Sequence, residues 1–153
     1  MIETWRITKT KYVDDALSGR GARMRGGRFN SEGTPLVYTA GSLSLAVLEV
    51  LAHLPSDRHL RQHRVVPVRF SEDLVEQLYQ EDLPNDWRAT PAPSSTQALG
   101  DAWVSSKRSL ALRVPSAVVP AEPNYLINPL HPDVAEIDMG EARPLDIDPR
   151  LME

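Results

Sequence analysis

Hydrophobic and polar residues alternate near the start of the chain. Trp5 and Ile7 stand between polar neighbours, the period-2 signature of a first strand. Residues 14–27 break that alternation with glycines and arginines and read as loop. Arg28-Phe29-Asn30 begins a short extended piece, Ser31-Glu32-Gly33-Thr34-Pro35 is turn chemistry, and Leu36-Val37-Tyr38-Thr39 returns as a strand. From Leu43 the spacing becomes helical, with Ser42 as N-cap and an end near Leu54. Arg64 to Phe70 predicts a strand in which Pro67 marks an edge or a bulge. Ser71 is placed to cap a second helix to about Gln80, and Leu83 to Pro93 reads as loop. Ser94-x-x-Gln97 is a capping box that opens a third helix through about Ser106. Leu110, Leu112 and Val114, then Ala117-Val118-Val119, read as strands separated by Pro115-Ser116. Pro120 to Pro132 reads as a Pro/Asn loop, and Leu145-Asp146-Ile147 as a terminal strand. Short strands interleaved with three helices imply an α+β fold, a single domain over residues 1–153 on a mixed or antiparallel sheet. The connections are too irregular for a doubly wound parallel sheet.

The helix after Ser42 carries apolar residues almost all round. Leu43, Val47, Val50, Leu51 and Leu54 form one stripe, while Leu45, Leu48 and Ala52 cover the opposite side. Such a helix is expected to be buried on most sides. Glu49 then sits where a carboxylate is costly unless something pairs with it, and His53, four residues on, shares its face. The competing reading is a narrow solvent-facing strip, and spacing alone favours it.

Composition narrows the class. The chain has 153 residues, 41% hydrophobic and 25% charged, ordinary values for one globular domain. It has no cysteine, which excludes disulfides, thiolate nucleophiles and zinc sites with sulfur ligands. Charges in the first nine residues do not suit a signal peptide, and the apolar segment from Leu43 to Leu54 is too short to span a membrane. A cytoplasmic location without membrane contact is expected. The net charge is −4, whereas a general nucleic-acid binder carries a surplus of Lys and Arg. Positive charge is local, with Arg20, Arg23, Arg25 and Arg28 close together. That pattern points to a small anionic ligand and away from direct nucleic-acid binding.

In Gly26-Gly27-Arg28-Phe29-Asn30 two glycines let the backbone approach a ligand, and the guanidinium offers a planar fork for phosphate or carboxylate. A flexible basic loop is the plainer alternative. Tyr38 precedes the helix of Glu49 directly; it is placed to stack on a flat ring or to pack in the core, the commoner fate. Ser116 lacks the Gly-x-Ser-x-Gly context of a hydrolase and reads as a turn serine. His59 and His63 have the spacing of two metal ligands, but nothing is spaced to complete the set, so both read as solvent-exposed and no metal is expected. Neither a P-loop nor a Rossmann glycine fingerprint occurs, which argues against NAD⁺ as a redox cofactor in that fold.

These residues together resemble the RES domain family. Gly27-Arg28-Phe29-Asn30, Val37-Tyr38-Thr39-Ala40, Ser42, Leu45-Ala46 and Leu48-Glu49 are similar to its N-terminal block. Leu99-Gly100-x-x-Trp103, Leu110-x-Leu112-x-Val114-Pro115-Ser116-Ala117-Val118 and Asn124-Tyr125-Leu126-Ile127-Asn128-Pro129-x-His131-Pro132 are similar to its C-terminal block. The arginine, glutamate and serine that name the family match Arg28, Glu49 and Ser116. The resemblance implies a fold like that of ADP-ribosyltransferases and the toxin of a type II toxin–antitoxin pair in bacteria. Its partner would be an Xre-type helix-turn-helix antitoxin, bound as a hetero-oligomer. It implies degradation of NAD⁺ by hydrolysis or phosphorolysis of the nicotinamide–ribose bond, with NAD⁺ as substrate and no resident cofactor. Protein mono-ADP-ribosylation is the alternative, and a silent corepressor of the antitoxin is the alternative of another class. Glu49, Arg28, Tyr38 and Ser116 would be catalytic, with Arg28, Tyr38, Asn30 and Ser116 binding NAD⁺. Glu49 would stabilise an oxocarbenium-like ribose, Arg28 hold the pyrophosphate, Tyr38 stack on nicotinamide, and Ser116 contact the ligand or orient Glu49.

Overall fold

The structure, a computed structural model, describes residues 1–53 and 57–152, apart from the side chains of residues 57–59 and 152. Its eight strands are β1 (Ile2–Lys9), β2 (Val37–Ala40), β3 (His63–Phe70), β4 (Val75–Gln77), β5 (Ala111–Pro115), β6 (Pro123–Ile127), β7 (Asp138–Met139) and β8 (Arg143–Pro144). Among the described residues three α-helices accompany them: α1 (Arg20–Arg25), α2 (Leu43–His53) and α3 (Ser94–Ser106). The strands lie in the order β4-β5-β6-β2-β1-β3-β7, with β8 also on β3. Every pairing is antiparallel except that of β4 with β5, so the sheet is mixed, as the pattern of short elements implies.

The sheet has two well-paired halves and a weak joint. β1 and β3 pair from Ile2↔Phe70 to Lys9↔His63, and β2 pairs β6 from Val37↔Ile127 to Ala40↔Asn124. The halves meet where β1 pairs β2 at Trp5↔Ala40. Near this joint the Tyr38 carbonyl accepts a hydrogen bond from Arg6 Nη1 (3.1 Å). α2 lies across the joint, packing Leu45 and Ala46 on Ala40, Trp5 and Ile7. α3 covers the same face further along, where Trp103 and Val104 meet Leu112, Val114 and Leu126. The opposite face buries Val66, Val68, Phe70, Tyr125 and Ile127 beneath loops and a 3₁₀ turn (Pro132–Glu136) that bring Leu17, Val134 and Ile137.

Several sequence expectations change. Residues 14–27 are not all loop, since α1 occupies Arg20–Arg25. Arg28-Phe29-Asn30 is a tight turn closed by Gly27 and Asn30, not an extended piece. Ser71 does accept from the Asp73 amide, but that cap serves a single 3₁₀ turn and β4 follows in place of a helix to Gln80. Leu74 and Val75 pack against the core across the sheet, and that contact overrides local helix propensity. α3 forms where expected but without a capping box, because its N-cap is Pro93 and the Gln97 side chain is used elsewhere. Pro123–Ile127 is a central strand, and Ala117-Val118-Val119 is the bend that leads to it. Leu145 follows the short β8 and gives one amide bond to the His63 carbonyl, so no terminal strand forms at 145–147. Pro67 sits on β3 between the stretches paired by β8 and β7, which agrees with an edge position. His63 is buried at the start of β3, not solvent-exposed, because the ladder with β1 begins there; the side chain of His59 lies outside the described residues. α2 is buried on one side only: Leu45, Ala46 and Val47 are covered, while Leu43 and Leu48 are exposed, and Leu54 lies outside the described residues.

Candidate active site

Glu49 is one turn after the buried Leu45 and so leaves α2 toward the sheet. Its carboxylate is held at both oxygens: Ser116 Oγ donates to Oε2 (3.0 Å) and Asn124 Nδ2 donates to Oε1 (2.8 Å). Burial pushes the Glu49 pKa up, and the bonds from Asn124 and Ser116 and the nearby His53 pull it back. His53 itself binds back to the Glu49 carbonyl through Nδ1 (2.7 Å) at the exposed end of the helix.

Ser116 is fully buried at the bend after β5. Its Oγ accepts from the amides of Val118 and Val119 (3.1 Å each) while donating to Glu49. It is therefore both a turn serine and the group that aims the carboxylate. Asn124 is a site residue that sequence reasoning missed, although it begins the motif Asn124-Tyr125-Leu126-Ile127. The available signal was its strand position: on β6 it pairs with Ala40 of β2 and Val114 of β5, so it projects from the face that α2 covers.

Tyr38 projects from that same face two residues before Ala40, a diagonal neighbour of Asn124 at about 7–8 Å along the ladder. Its hydroxyl donates to Asn30 Oδ1 (2.6 Å) and accepts from the Phe29 amide (3.0 Å). Burial pushes its pKa well above the ordinary tyrosine value, so the hydroxyl stays protonated. Asn30 is fully buried, and its Nδ2 donates to the carbonyls of Ala22 (2.8 Å), Thr34 (2.9 Å) and Ser31 (3.3 Å). These bonds close the turn that presents Arg28 and leave Asn30 behind Tyr38, enclosed by its own loop.

Gly27 is required by contact. A Cβ there would lie 2.6 Å from the Tyr38 hydroxyl oxygen and 2.9 Å from Asn30 Oδ1. α3 holds the turn from the other side. Gln97 Nε2 donates to the Gly27 carbonyl (2.9 Å), and Asp101 accepts from the Ser31 amide (3.0 Å) and hydroxyl (2.5 Å). Gly100 lies against the Phe29 carbonyl so closely that no side chain fits.

Arg28 leaves this turn half-buried, with Nη1 donating to the carbonyls of Trp87 (2.6 Å) and Ala89 (2.8 Å). Burial lowers its pKa, the neighbouring Arg88 lowers it further, and Tyr38 acts in the opposite direction. Arg6, which the sequence did not single out, is a buried cation on the opposite face of the sheet, where its register partner Val66 packs. Burial alone lowers its pKa to about 10, and its Nε is buried without a hydrogen-bond partner among the described residues. The structure thus places Glu49, Ser116 and Asn124 in one cluster, and Arg28, Tyr38 and Asn30 in another on the same side of the sheet. Among the described residues no set of three or more His, Asp or Glu is grouped to hold a metal ion.

A half-buried carboxylate held by two neutral donors and a half-buried guanidinium held by two backbone carbonyls thus lie on one side of a mixed sheet. The RES domain model matches residues 3–148, and the chain belongs to the RES domain family. A protein from Photorhabdus laumondii named Toxin Res is 41% identical over 150 residues, covering 97% of this chain and 96% of its own. The Prs ADP-ribosylating toxin of a Sphingobium species is 38% identical over 153 residues, covering 97% of this chain and 95% of its own. Among solved structures, the M. tuberculosis MbcT–MbcA toxin–antitoxin complex contains a chain with the same fold. It superposes with a TM-score of 0.76 at 23% identity, over 94% of this chain and 83% of the other.

Proposed function

We propose that this protein is the toxin of a toxin–antitoxin pair and cleaves the nicotinamide–ribose bond of NAD⁺. The observation that carries the reading is the Glu49 carboxylate, fixed by two neutral donors on the sheet face that also carries Tyr38 and Arg28. When the C1′–N bond breaks, its electron pair goes to the pyridinium nitrogen and nicotinamide leaves neutral, so no strong acid is needed. Positive charge develops on the ribose, and Glu49 stabilises it while holding a ribose hydroxyl. Water or phosphate then adds at C1′, and water gives up a proton to solvent or to Glu49. Arg28 takes the pyrophosphate through Nε and Nη2, which make no bond among the described residues. Tyr38 keeps its hydroxyl on the Arg28 turn and offers its ring to nicotinamide. Asn30 supports this arrangement from behind.

A second reading has one observation in its favour: a relative at 38% identity is named for ADP-ribosylation, in which a protein side chain replaces water as acceptor. Purified protein incubated with NAD⁺, with and without phosphate, separates the outcomes. Free ADP-ribose supports hydrolysis, ADP-ribose 1″-phosphate supports phosphorolysis, and label transferred to protein supports the second reading. Unchanged NAD⁺ under all conditions overturns both. A silent corepressor does not need the Glu49–Ser116–Asn124 network. The partner we infer is an Xre-type antitoxin in the same cytoplasm. Among the described residues no helix is long and apolar enough to cross a membrane.

A further inference from the structure

The segment from Leu83 to Pro93, which the sequence reads as plain loop, lies against Arg28. Trp87 anchors it in the core, only 4% exposed. Arg28 Nη1 binds the carbonyls of Trp87 and Ala89, the two residues that flank Arg88. Residue 88 therefore departs from backbone clamped on both sides by the site's own guanidinium. Its side chain then crosses to the other cluster, where Nε donates to the carbonyl of Ala117 (2.9 Å), next to Ser116. From these contacts we infer that Arg88 is a second phosphate-holding group of the same site, gripping the pyrophosphate of the dinucleotide together with Arg28.

The inference rests on the reading of NAD⁺ as substrate and adds a positioning residue that the RES motifs do not include. Three observations support it. First, among the described residues Arg88 bonds only through Nε, which leaves both Nη groups for a ligand, and Arg28 likewise bonds only through Nη1. Second, neither guanidinium forms an ion pair among the described residues, and Asp86, two positions from Arg88, bonds to neither. Third, Arg88 is near enough to Arg28 to disfavour its charge, an unfavourable arrangement that an anion between them would reverse. A pyrophosphate carries two negative charges and acceptor oxygens on both phosphorus atoms, which suits two planar forks better than one. The bond to Ala117 also ties the phosphate-binding side to the bend that aims Glu49.

The test uses the full chain with Arg88→Gln and Arg88→Lys. Three quantities are measured: KM and kcat for NAD⁺, Kd for ADP-ribose, and inhibition by nicotinamide, which lacks phosphate. Arg88→Gln should raise KM for NAD⁺ and Kd for ADP-ribose about tenfold, with kcat and nicotinamide inhibition nearly unchanged. Arg88→Lys should recover only part of that loss, because the charge returns but the fork does not. If both variants lose kcat and nicotinamide inhibition equally, Arg88 is only a strut to Ala117 and the inference is overturned. Wild-type KM and Kd in Arg88→Gln overturn it while leaving the NAD⁺ reading intact. A wild-type chain that neither cleaves NAD⁺ nor binds ADP-ribose overturns both together.

Discussion

Replacing Ser116 with alanine tests how far the serine acts through Glu49. The substitution removes the 3.0 Å hydrogen bond to Oε2 and the acceptor for the Val118 and Val119 amides, while Asn124 still holds Oε1. A hydrogen bond to an ionised group contributes about 1.5–3 kcal/mol. If that bond matters mainly for the placement and charge of the carboxylate, kcat should fall roughly 10- to 100-fold. The pH profile distinguishes this from a general loss of structure. Burial raises the Glu49 pKa and the Ser116 bond lowers it, so alanine should raise it further. In the proposed mechanism Glu49 acts as a carboxylate, so the acid limb of kcat should move to higher pH, and raising the pH should restore part of the activity. The two unpaired amides should lower stability by about 1–3 kcal/mol, or roughly 2–4 °C of Tm for each kcal/mol. The assay is NAD⁺ turnover against pH beside thermal denaturation. Turnover within twofold of wild type, with the acid limb unmoved, would refute the argument and reduce Ser116 to a turn residue.

Glu49→Gln should reduce turnover by about 10²-fold or more while ADP-ribose still binds, and near-normal turnover would remove Glu49 from the mechanism. The same variant has a stability signature. The raised pKa means that folding takes up protons at Glu49, so the wild type is favoured at acid pH and loses that advantage as pH rises past the ordinary carboxylate value toward the raised one. The Tm of Glu49→Gln relative to wild type should therefore increase from acid to neutral pH; a constant difference would contradict the assignment. Arg28→Lys keeps the charge but cannot bridge the Trp87 and Ala89 carbonyls and still present a fork, so KM for NAD⁺ should rise about tenfold or more with a smaller change in kcat. Gly27→Ala should cut activity well beyond its effect on Tm, because the new Cβ displaces the Tyr38 hydroxyl; kinetics beside denaturation check this.

The parts of this molecule that were legible in the sequence are those governed by local chemistry. β1, β2, α2 and α3 carry clear periodicities, and Ser42 does accept from the Leu45 amide at the start of α2. The pair Glu49 and Ser116 came from the RES resemblance, and spacing alone had favoured an exposed strip for Glu49. What stayed hidden depends on long-range contacts. β6 is rich in proline and asparagine at its edges and becomes a strand because β2 and β5 pair with it on both sides. Gln97 looked like a capping residue, but its amide has a stronger use 70 residues away on the Gly27 carbonyl. Asn128 and His131, part of a conspicuous motif, serve structure: Asn128 Nδ2 binds the Val104 carbonyl at 2.9 Å, and His131 Nδ1 accepts from the Asp133 amide at 3.0 Å. Arg6 and Arg88 have ordinary local contexts; burial sets Arg6 apart, and a distant backbone carbonyl partner sets both apart.

The way the site keeps its charges apart follows from the partners it gives them. Glu49 and Arg28 lie on the same side of the sheet, and a direct ion pair between them would leave neither free for a ligand. Among the described residues neither forms an ion pair. The carboxylate is held by a hydroxyl and an amide, and the guanidinium by two backbone carbonyls. Neutral partners fix direction without cancelling charge, so in the proposed reaction each group would keep its field for the substrate and need no reorganisation when the bond breaks. The arrangement also sets polarity. In the proposed NAD⁺ reaction, an anionic pyrophosphate would be drawn to the arginines and repelled by Glu49, while the ribose that becomes positive would be favoured only beside Glu49. A dinucleotide bound in reverse would place like charges together at both ends. The cost is a half-buried carboxylate without a counter-ion, and Ser116 and Asn124 make that cost tolerable.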